Sequence, residues 1–377
     1  MSAQILFVVH HPLDANAGVA GATLQLAGAL RARGCSVLFY SFDDAFGRHA
    51  HGNVGELLAF PAFVARFLSR EARSFDVVDA TTGDTWLWLS LGRPGGLRPV
   101  VVTHSHGLEH VAHESRVRHA RQGDLSLSWK YPLYHGGWRL REVRLTLEGA
   151  DGSIFVSNSN RNWALQHLML DPARTAAIPN GLPEGFRRRP PAAPRGPREP
   201  LQVVVAGAWI PSKGCRTVTA AAHILEERGV TIHWRLLGTH FDRARIAPEF
   251  PPGAASTIRV VPRYDRNDLP ELFRNAHVLL LASWSEGFNM SLVEAMAFGL
   301  VPVAAPVGDA STFVRADTGI LLAENPSASD VAQALSVLEQ APNLEQLRFA
   351  AQQAVSDLGW SDIATRTLRF YESVRRG

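Results

Sequence analysis

The sequence predicts an α/β protein with two doubly wound domains, and three observations support this class. Short apolar runs alternate with helical patterns almost from end to end. Several runs are continuously apolar and rich in β-branched residues, which is typical of parallel strands buried on both faces. A chain of 377 residues is also long enough to form two cores.

The candidate strands form one group before residue 183 and another after residue 200. They are Ile5–Val9, Ser36–Ser41, Asp76–Ala80, Val100–Thr103, Ile154–Ser157, Gln202–Ala206, Trp234–Leu237, Ile258–Val261, Val278–Ala282, Val301–Ala304 and Gly319–Leu322. Two of the intervening helices have recognisable ends: one over 22–33 stops at Gly34, and one over 270–276 is opened by Asp268.

The two groups are separated by a segment rich in proline and arginine. Residues 1–183 form the predicted N-terminal domain, 184–200 the linker and 201–360 the C-terminal domain. The arginines of the linker are interpreted as a solvated run, with an anion site as the alternative. The final helix is expected at about 361–376.

Composition excludes several classes of protein. Apolar residues make up 46% and charged residues 19%, so the chain folds into a globule. Cys35 and Cys215 are too far apart in sequence for a Cys-x-x-Cys site, and they point to a reducing compartment. No signal peptide or 18-residue apolar span is recognised. We therefore expect a cytoplasmic protein, and the absence of a basic stripe argues against nucleic-acid binding.

Lysine is rare in this chain. Of 38 basic residues only Lys130 and Lys213 are lysines. Lys213 and Gly214 follow the strand that Gly207 ends, and a glycine turn with an ammonium group suits a phosphate. The alternative is an ordinary surface lysine.

Two glutamates near one predicted helix give the most specific pattern. Glu286 lies in the loop after a buried strand, the helix is expected to start between Gly287 and Ser291, and Glu294 falls in its second turn. An anion at the helix N-terminus would have a carboxylate on each side, each able to accept hydroxyl groups. This arrangement matches a nucleoside diphosphate sugar; solvent-facing glutamates on an ordinary helix are the alternative.

The loops of the first domain give weaker patterns. Gly18 and Gly21 open a helix after the first strand, where backbone amides could approach an anion or a sugar, although these residues alone favour a simple tight turn. His106 follows the fourth strand and is interpreted as a substrate contact. His106, Glu109 and His110 also match the H-x-x-E-H metalloprotease pattern, but Gly107 and the strand just before it disfavour that interpretation.

Taken together, these motifs resemble glycosyltransferase family 4, whose fold, called GT-B, pairs two Rossmann-like domains across a cleft. The matching residues are Gly18, Gly21, the Ile-Pro-Asn-Gly-Leu run at 178–182, Gly207, Lys213, Gly214, Leu-Leu-Gly at 236–238, Glu286 and Glu294. They follow the family's order over nearly the whole chain, and the glutamate pair is the most specific of them.

The resemblance implies a retaining hexosyltransferase that takes a UDP- or GDP-type sugar nucleotide and requires no metal. Lys213 would neutralise the diphosphate, Glu294 would hold the ribose, Glu286 the transferred sugar, and His106 would lie near the reacting centre. The donor-binding residues would be Gly18, Gly21, Gly207, Lys213, Gly238, Tyr264, Gly287, Phe288 and Glu294. The final helix would cross back to the first domain, and the acceptor would be a glycan or a lipid-linked sugar in glycan, polysaccharide or glycolipid biosynthesis.

Two positions depart from the family pattern. Ala208 stands where an arginine is usual, and Thr312 where a glutamate is frequent. Loss of the arginine removes one charge for the diphosphate. A GT-B sugar-nucleotide epimerase and a non-catalytic sugar-nucleotide or glycan-binding partner therefore remain as alternatives.

Basic and aromatic residues are interleaved over residues 113–144. Such a segment suits an anionic lipid headgroup surface, so peripheral association with the inner face of the cell membrane is one expectation. The alternative is a helix pair that packs its aromatic residues inward.

Overall fold

The computed structural model describes residues 3–16, 18–47, 52–92, 99–187, 194–196 and 199–376. The chain divides into two compact units. Unit 1 comprises Met1–Gly181 together with Gly359–Gly377, and unit 2 comprises Leu182–Leu358.

Unit 1 is built on a six-stranded parallel sheet in the order β2-β1-β3-β4-β5-β6. Its strands are β1 Gln4–Val9, β2 Ser36–Ser41, β3 Val77–Thr81, β4 Val100–Ser105, β5 Gly152–Phe155 and β6 Thr175–Ala177. Alternate residues of β1 enter different cores. Ile5 and Phe7 join one apolar cluster, and Leu6 and Val8 join another, as expected for a strand buried on both faces.

Helices cover both faces of this sheet. They are α1 Gly18–Arg31, α2 Phe42–Phe46, α3 Val54–Glu71, α4 Trp86–Ser90, α5 Glu109–Arg121, α6 Arg139–Gly149, α7 Asn158–His167 and the C-terminal helix Trp360–Arg376. The C-terminal helix packs against α1 and β4. Its Tyr371 hydroxyl donates a hydrogen bond to the buried Asp79 carboxylate of β3, over 2.5 Å.

Unit 2 repeats the architecture with the order β12-β11-β10-β7-β8-β9, again with parallel pairing. Its strands are β7 Leu201–Ala206, β8 Ile232–Leu237, β9 Arg259–Val261, β10 Val278–Leu281, β11 Val301–Ala304 and β12 Ile320–Leu321. Its helices are α8 Glu184–Arg187, α9 Cys215–Glu227, α10 Arg243–Ile246, α11 Pro252–Thr257, α12 Leu269–Leu272, α13 Met290–Ala297, α14 Ala310–Phe313, α15 Ala328–Glu339 and α16 Leu344–Ala354.

The predicted fold class, two α/β domains with parallel sheets, is confirmed. Each of the eleven predicted strands has a counterpart, and β6 was not foreseen because its three residues, Thr-Ala-Ala, carry little apolar pattern. The helix expected over 270–276 ends at Leu272. Shortly after it, Asn275 adopts a φ of 57°, which a continuing helix does not allow.

The interpretation of 184–200 as a solvated linker needs correction where it is described. Glu184–Arg187 is helical and its Phe186 is buried against Phe298, with ring centroids 5.0 Å apart. Arg195 is 15% exposed; its guanidinium donates to the Glu339 carbonyl over 2.7 Å and pairs with the Glu339 carboxylate. These anchors tie part of the segment to unit 2, and positions 188–193 and 197–198 lie outside the described residues.

Over the described ranges, none of the helices combines the length and the apolar character needed to cross a membrane.

Candidate functional site

Unit 2 brings two of the predicted residues together where its strand order reverses. β7 and β10 are neighbours in the sheet, and parallel sheets bind ligands in the crevice outside the strand ends at such a point. Lys213 follows β7 and Glu286 follows β10. The lysine Nζ lies 2.6 Å from the glutamate Oε1, and the side chains are 34% and 17% exposed.

Close packing of two loops creates this pair. Gly214 adopts a φ of 78°, and a Cβ atom there would lie 2.3 Å from the carbonyl oxygen of Ala282. The Trp284 amide also donates to the Ser212 carbonyl over 2.9 Å. Glycine at 214 is therefore required both by its backbone angle and by the approach of the other loop.

Helix α13 begins toward the end of the predicted start range. Its first residue is Met290 and its N-cap is Asn289, so Gly287 and Phe288 belong to the preceding loop. Phe288 is buried and packs edge-on against Phe313, with ring centroids 6.1 Å apart. The observed start at Met290 lies within the predicted range of Gly287 to Ser291, which is confirmed.

Glu294 lies in the second turn of α13, as expected, and is buried. The carboxylate oxygen Oε1 contacts the guanidinium Nη2 of Arg266, with the side chains 8% and 19% exposed. Burial raises the pKa of Glu294, and the charge and hydrogen bond of Arg266 act in the opposite direction. Sequence reasoning missed Arg266 because no motif marks it.

Three further predicted residues meet at the neighbouring strand ends. Gly207 and Gly238 follow β7 and β8 with φ values of 133° and 72°, and the Gly207 amide donates to the Leu237 carbonyl over 2.8 Å. A Cβ on Gly238 would lie 3.3 Å from the ring of Tyr264. Burial, followed by the charge of Glu294, raises the pKa of Tyr264 to about 12, so this phenol is neutral.

The loop after β11 closes over Asn289. Gly308 has a φ of 61°, and a Cβ there would lie 2.3 Å from the Asn289 amide oxygen. Asn289 is 4% exposed, and within the described ranges neither of its side-chain polar atoms has a hydrogen-bond partner. Buried amides usually have partners, so this residue is unusual for a core position, and the sequence did not single it out.

The two departures from the family pattern occupy ordinary positions. The Ala208 carbonyl accepts a hydrogen bond from the Ile210 amide over 2.9 Å. Thr312 is an exposed residue of the short helix α14, and its amide donates to the Asp309 carbonyl over 2.9 Å.

Unit 1 also has two side chains in contact at the point where its strand order reverses, between β1 and β3. Nδ1 of His10, which follows β1, lies 2.8 and 3.1 Å from the two carboxylate oxygens of Asp84, which follows β3. Asp84 is 1% exposed and His10 21%. The contact fixes the imidazole so that Nε2 is the nitrogen left for other partners. Sequence reasoning singled out neither residue.

His106 follows β4 in the same unit. Its ring stacks on His104 with centroids 4.5 Å apart, and Nε2 lies 3.5 Å from the Thr23 hydroxyl. Burial, and then the neighbouring His104, lower the pKa of His106 well below its usual value, so the ring is neutral. His106 can therefore act as a hydrogen-bonding group at neutral pH, but not as a cation.

The H-x-x-E-H match does not assemble a metal site. Glu109 accepts hydrogen bonds from Arg139 over 3.1 Å and from Thr82 over 3.2 Å. The ring of His110 packs against Trp163, and burial lowers the pKa of His110 to about 4. Within the part of the chain that the structure describes, no group of three or more His, Cys, Asp or Glu residues could hold a metal ion.

The early glycines have different surroundings. Gly18 is the first residue of α1, and a Cβ there would meet no atom within 4 Å. A Cβ on Gly21 would lie 2.4 Å from the Ala15 carbonyl oxygen. The glycine at 21 is thus explained by packing of the preceding loop on α1.

The segment between α5 and α6 exposes apolar and basic side chains. Trp129 is 77% exposed and Leu133 66%. The ammonium of Lys130 lies 5.5 Å from the centre of the Trp129 ring. Tyr134 and Arg139, by contrast, are buried, so the aromatic and basic residues of 113–144 divide between the core and the surface.

Sequence profiles of two families match the chain. "Glycosyltransferase Family 4" matches residues 17–185, and "Glycosyl transferases group 1" matches residues 200–340. A D-inositol 3-phosphate glycosyltransferase of Streptomyces griseus is 29% identical over 231 residues. That alignment covers 53% of this chain and 49% of the relative, so it spans about half the length of each.

Solved structures share the fold. Sucrose-phosphate synthase from Thermosynechococcus elongatus has a TM-score of 0.77 at 18% identity, with 99% of each chain covered. HepE of Anabaena, solved in complex with UDP-glucose, has a TM-score of 0.64 at 17% identity, covering 98% of this chain and 100% of that one. With the two profile matches, these similarities show that the chain belongs to the GT-B glycosyltransferases, with a family 4 N-terminal region and a group 1 C-terminal region.

Proposed function

We propose that this protein transfers a hexose from a UDP- or GDP-type sugar nucleotide to an acceptor hydroxyl, with retention at the anomeric carbon. The observation that carries the proposal is the cluster at the reversal point of unit 2. There a lysine and a glutamate pair after β7 and β10, and a second, buried glutamate lies on the helix that follows. Such a cluster offers one cation to a diphosphate and two carboxylates to sugar hydroxyls.

In this proposal the donor exchanges the partners of Lys213. The ammonium leaves Glu286 for the diphosphate, and the released Glu286 carboxylate accepts hydroxyl groups of the transferred sugar. The side chain of Asn289 forms no capping hydrogen bond with α13, so it does not compete for the first amides of that helix. These amides then join Lys213 in binding the diphosphate.

The chemical step breaks the bond between the anomeric carbon and the diphosphate and forms a bond to the acceptor oxygen, whose proton passes to an oxygen of the departing diphosphate. Negative charge accumulates on the departing diphosphate, so charge stabilisation there is the main requirement. Lys213 and the N-terminus of α13 supply it in this proposal, without a required metal. With Ala208 in place of the usual arginine, Lys213 carries a larger share of this stabilisation.

Unit 1 would bind the acceptor, which we propose is a glycan or a lipid-linked sugar. His106 is neutral and offers one imidazole nitrogen as a donor and the other as an acceptor for a hydroxyl group. His10 is oriented by a buried carboxylate and offers Nε2. We further propose that Trp129, Lys130 and Leu133 bind an anionic membrane surface, because tryptophan and lysine side chains suit the boundary between lipid and water.

The test is donor turnover measured across UDP-, GDP-, ADP- and dTDP-sugars, with and without acceptor mixtures and with and without EDTA. We expect hydrolysis or transfer with one nucleotide class, unchanged by EDTA, and a product whose anomeric configuration, read by NMR, matches the donor. Inverted configuration would overturn retention. Release of an epimerised sugar would favour the epimerase, and nucleotide binding without turnover would favour a non-catalytic partner.

A further inference from the structure

Arg266 and Glu294 form a second ion pair of unit 2, and neither residue takes part in the bond-breaking step described above. Arg266 opens the short 3-10 helix Arg266–Asp268, and its guanidinium contacts the Glu294 carboxylate from outside α13. We propose that Arg266 is a positioning residue of the donor site, which holds Glu294 ionised and oriented toward the two vicinal hydroxyls of the nucleoside ribose. This inference rests on the proposed function, with Glu294 as the carboxylate that binds the ribose, the role that the family resemblance implies.

The turn that carries Arg266 is held rigidly. The Asp265 side chain accepts a hydrogen bond from the Asn267 amide over 2.8 Å, and the Asp268 side chain accepts one from the Asp265 amide over 3.0 Å. Leu269, next along the chain, is 1% exposed and anchors the turn in the core. A turn fixed in this way presents the arginine from a defined direction, as a supporting residue must.

Ionisation decides what Glu294 can offer to a diol. A carboxylate accepts hydrogen bonds on both oxygens, whereas a protonated carboxyl group must donate one. Glu294 is 6% exposed, and its burial favours the protonated form. Arg266 opposes that effect through its charge and its hydrogen bond, so the arginine favours the ionised form, which can accept two hydroxyls.

Other charged groups near α13 are already engaged. Helix α8 packs on α13, and its Glu184 and Arg187 pair with each other over 3.1 Å. Helix α16 also packs on α13, and its Glu345 and Arg348 pair over 3.0 Å. Tyr264 faces Glu294 as well, but its phenol is neutral. Among the residues that the structure describes, Arg266 is therefore the cation that acts directly on Glu294.

The inference predicts a selective defect. Because Glu294 would contact the ribose and Lys213 the diphosphate, loss of Arg266 should weaken recognition of the ribose hydroxyls and spare recognition of the phosphates. Discrimination between a ribonucleotide and its 2′-deoxy counterpart should then decrease, since such discrimination depends on a group that is correctly ionised and placed. General loosening of the site would weaken both nucleotides equally.

The experiment is calorimetric titration with UDP and 2′-deoxy-UDP, or with GDP and 2′-deoxy-GDP if wild type binds GDP more tightly. The variants are Arg266→Met, Arg266→Lys, Glu294→Gln and the control Arg263→Met, whose arginine is exposed three residues earlier. We expect Arg266→Met to bind the ribonucleotide about tenfold more weakly at pH 7, as for loss of one charge-assisted contact. Its preference for the ribonucleotide should fall toward one. Arg266→Lys should restore most of the preference, and Arg263→Met should match wild type.

The pH profile provides a second readout. Without Arg266 the pKa of Glu294 rises further, so affinity for the ribonucleotide should increase with pH over a higher range than in wild type. Unchanged affinity and preference in Arg266→Met would overturn the inference. Equal weakening of both nucleotides at every pH, without rescue by lysine, would also overturn it and leave Arg266 a structural residue.

Urea unfolding separates this inference from the proposed function, because it needs no nucleotide. When the pKa of a carboxyl group is higher in the folded than in the unfolded protein, the protonated group stabilises the fold. That contribution to the free energy of unfolding is lost as pH rises through the folded-state pKa. Arg266→Met should thus lose more stability than wild type as pH rises above the usual carboxyl pKa, and the double variant Arg266→Met/Glu294→Gln should not. Absence of this difference would refute the coupling. Failure of wild type to bind any nucleotide would refute the proposed function instead.

Discussion

At the point where its strand order reverses, each sheet has a pair of one basic and one acidic side chain. The two pairs differ in how deeply the acidic member is buried. In unit 2, Lys213 and Glu286 are both partly exposed. In unit 1, the acidic partner, Asp84, is 1% exposed and binds His10 with both carboxylate oxygens. A partly exposed ion pair has little net strength and can exchange partners, whereas a buried carboxylate stays where it is and fixes its neighbour.

This difference separates two tasks that the same topology can support. An exchangeable pair suits a charged ligand that takes one ion from the other, as proposed for the sugar nucleotide. A fixed pair suits a neutral hydroxyl that needs one oriented nitrogen, as proposed for the acceptor. Fold alone therefore does not assign these roles, and the burial of one carboxylate distinguishes them.

The largest expected effect tests the exchangeable pair. Lys213→Ala should reduce donor use roughly 10- to 100-fold, or about 1.5–3 kcal/mol, because one charge-assisted contact to the diphosphate is lost. The free energy of unfolding should change by less than about 1 kcal/mol, since the pair is partly exposed. Steady-state kinetics with varied donor and urea unfolding measure the two effects. Lys130→Ala, which changes the chain's other lysine, should leave nucleotide binding unchanged; an unaffected donor dependence in Lys213→Ala would remove that residue from the site.

The next prediction compares the stability of the two pairs directly. Asp84→Ala should lower the free energy of unfolding by about 1–3 kcal/mol, because it removes a buried carboxylate and leaves Nδ1 of the half-buried His10 without it. Glu286→Ala should lower it by less than about 1 kcal/mol. Urea unfolding of both variants gives the comparison. Equal losses would show that burial does not distinguish the pairs.

A smaller effect should separate the two glutamates of unit 2. Glu294→Gln should weaken binding of the free nucleoside diphosphate about tenfold, because the ribose contact is made equally by substrate and product. Glu286→Gln should lower kcat for transfer and bind the nucleotide at least as tightly as wild type, since Lys213 no longer has to leave a carboxylate. Calorimetry measures the affinity for the nucleotide, and steady-state kinetics measures kcat. Equal loss of nucleotide affinity in both variants would mean that the glutamates act as one structural unit.

The parts of the fold that the sequence predicts are those set by local pattern. Continuous apolar runs such as 278–282 predict buried strands, because a strand covered on both faces has no solvent-exposed position for a polar side chain. The packing of Phe288 against Phe313 could not be predicted in the same way, since Phe313 lies 25 positions later in the chain. Short elements such as β6 depend on neighbouring strands for their formation and carry no pattern of their own.

The residues of the candidate site differ in the same way: local sequence marks some of them, and only contacts in the folded chain mark the others. Lys213, Glu286 and Glu294 stand in motifs, so the sequence marks them individually, but the contact between Lys213 and Glu286 spans 73 positions and follows from sheet order. Asp84 and Arg266 stand in no motif. Their importance comes from an ion pair with one buried member and a partner elsewhere in the chain, which composition and spacing do not reveal.

The smallest expected effect concerns the exposed segment between α5 and α6, in the unit that we propose binds the acceptor. Each basic residue near an anionic bilayer contributes about 1 kcal/mol at the surface, so the double variant Trp129→Ser/Lys130→Glu should reduce binding to phosphatidylglycerol vesicles several-fold. Binding of wild type should fall as salt rises, because the attraction of the basic residues is screened. Flotation at low and high salt measures this, with Phe349→Ser, which changes an exposed aromatic residue of unit 2, as the control. If wild type does not float with the vesicles at low salt, the proposal that unit 1 binds a lipid-linked acceptor is contradicted. A soluble glycan is then the acceptor that remains.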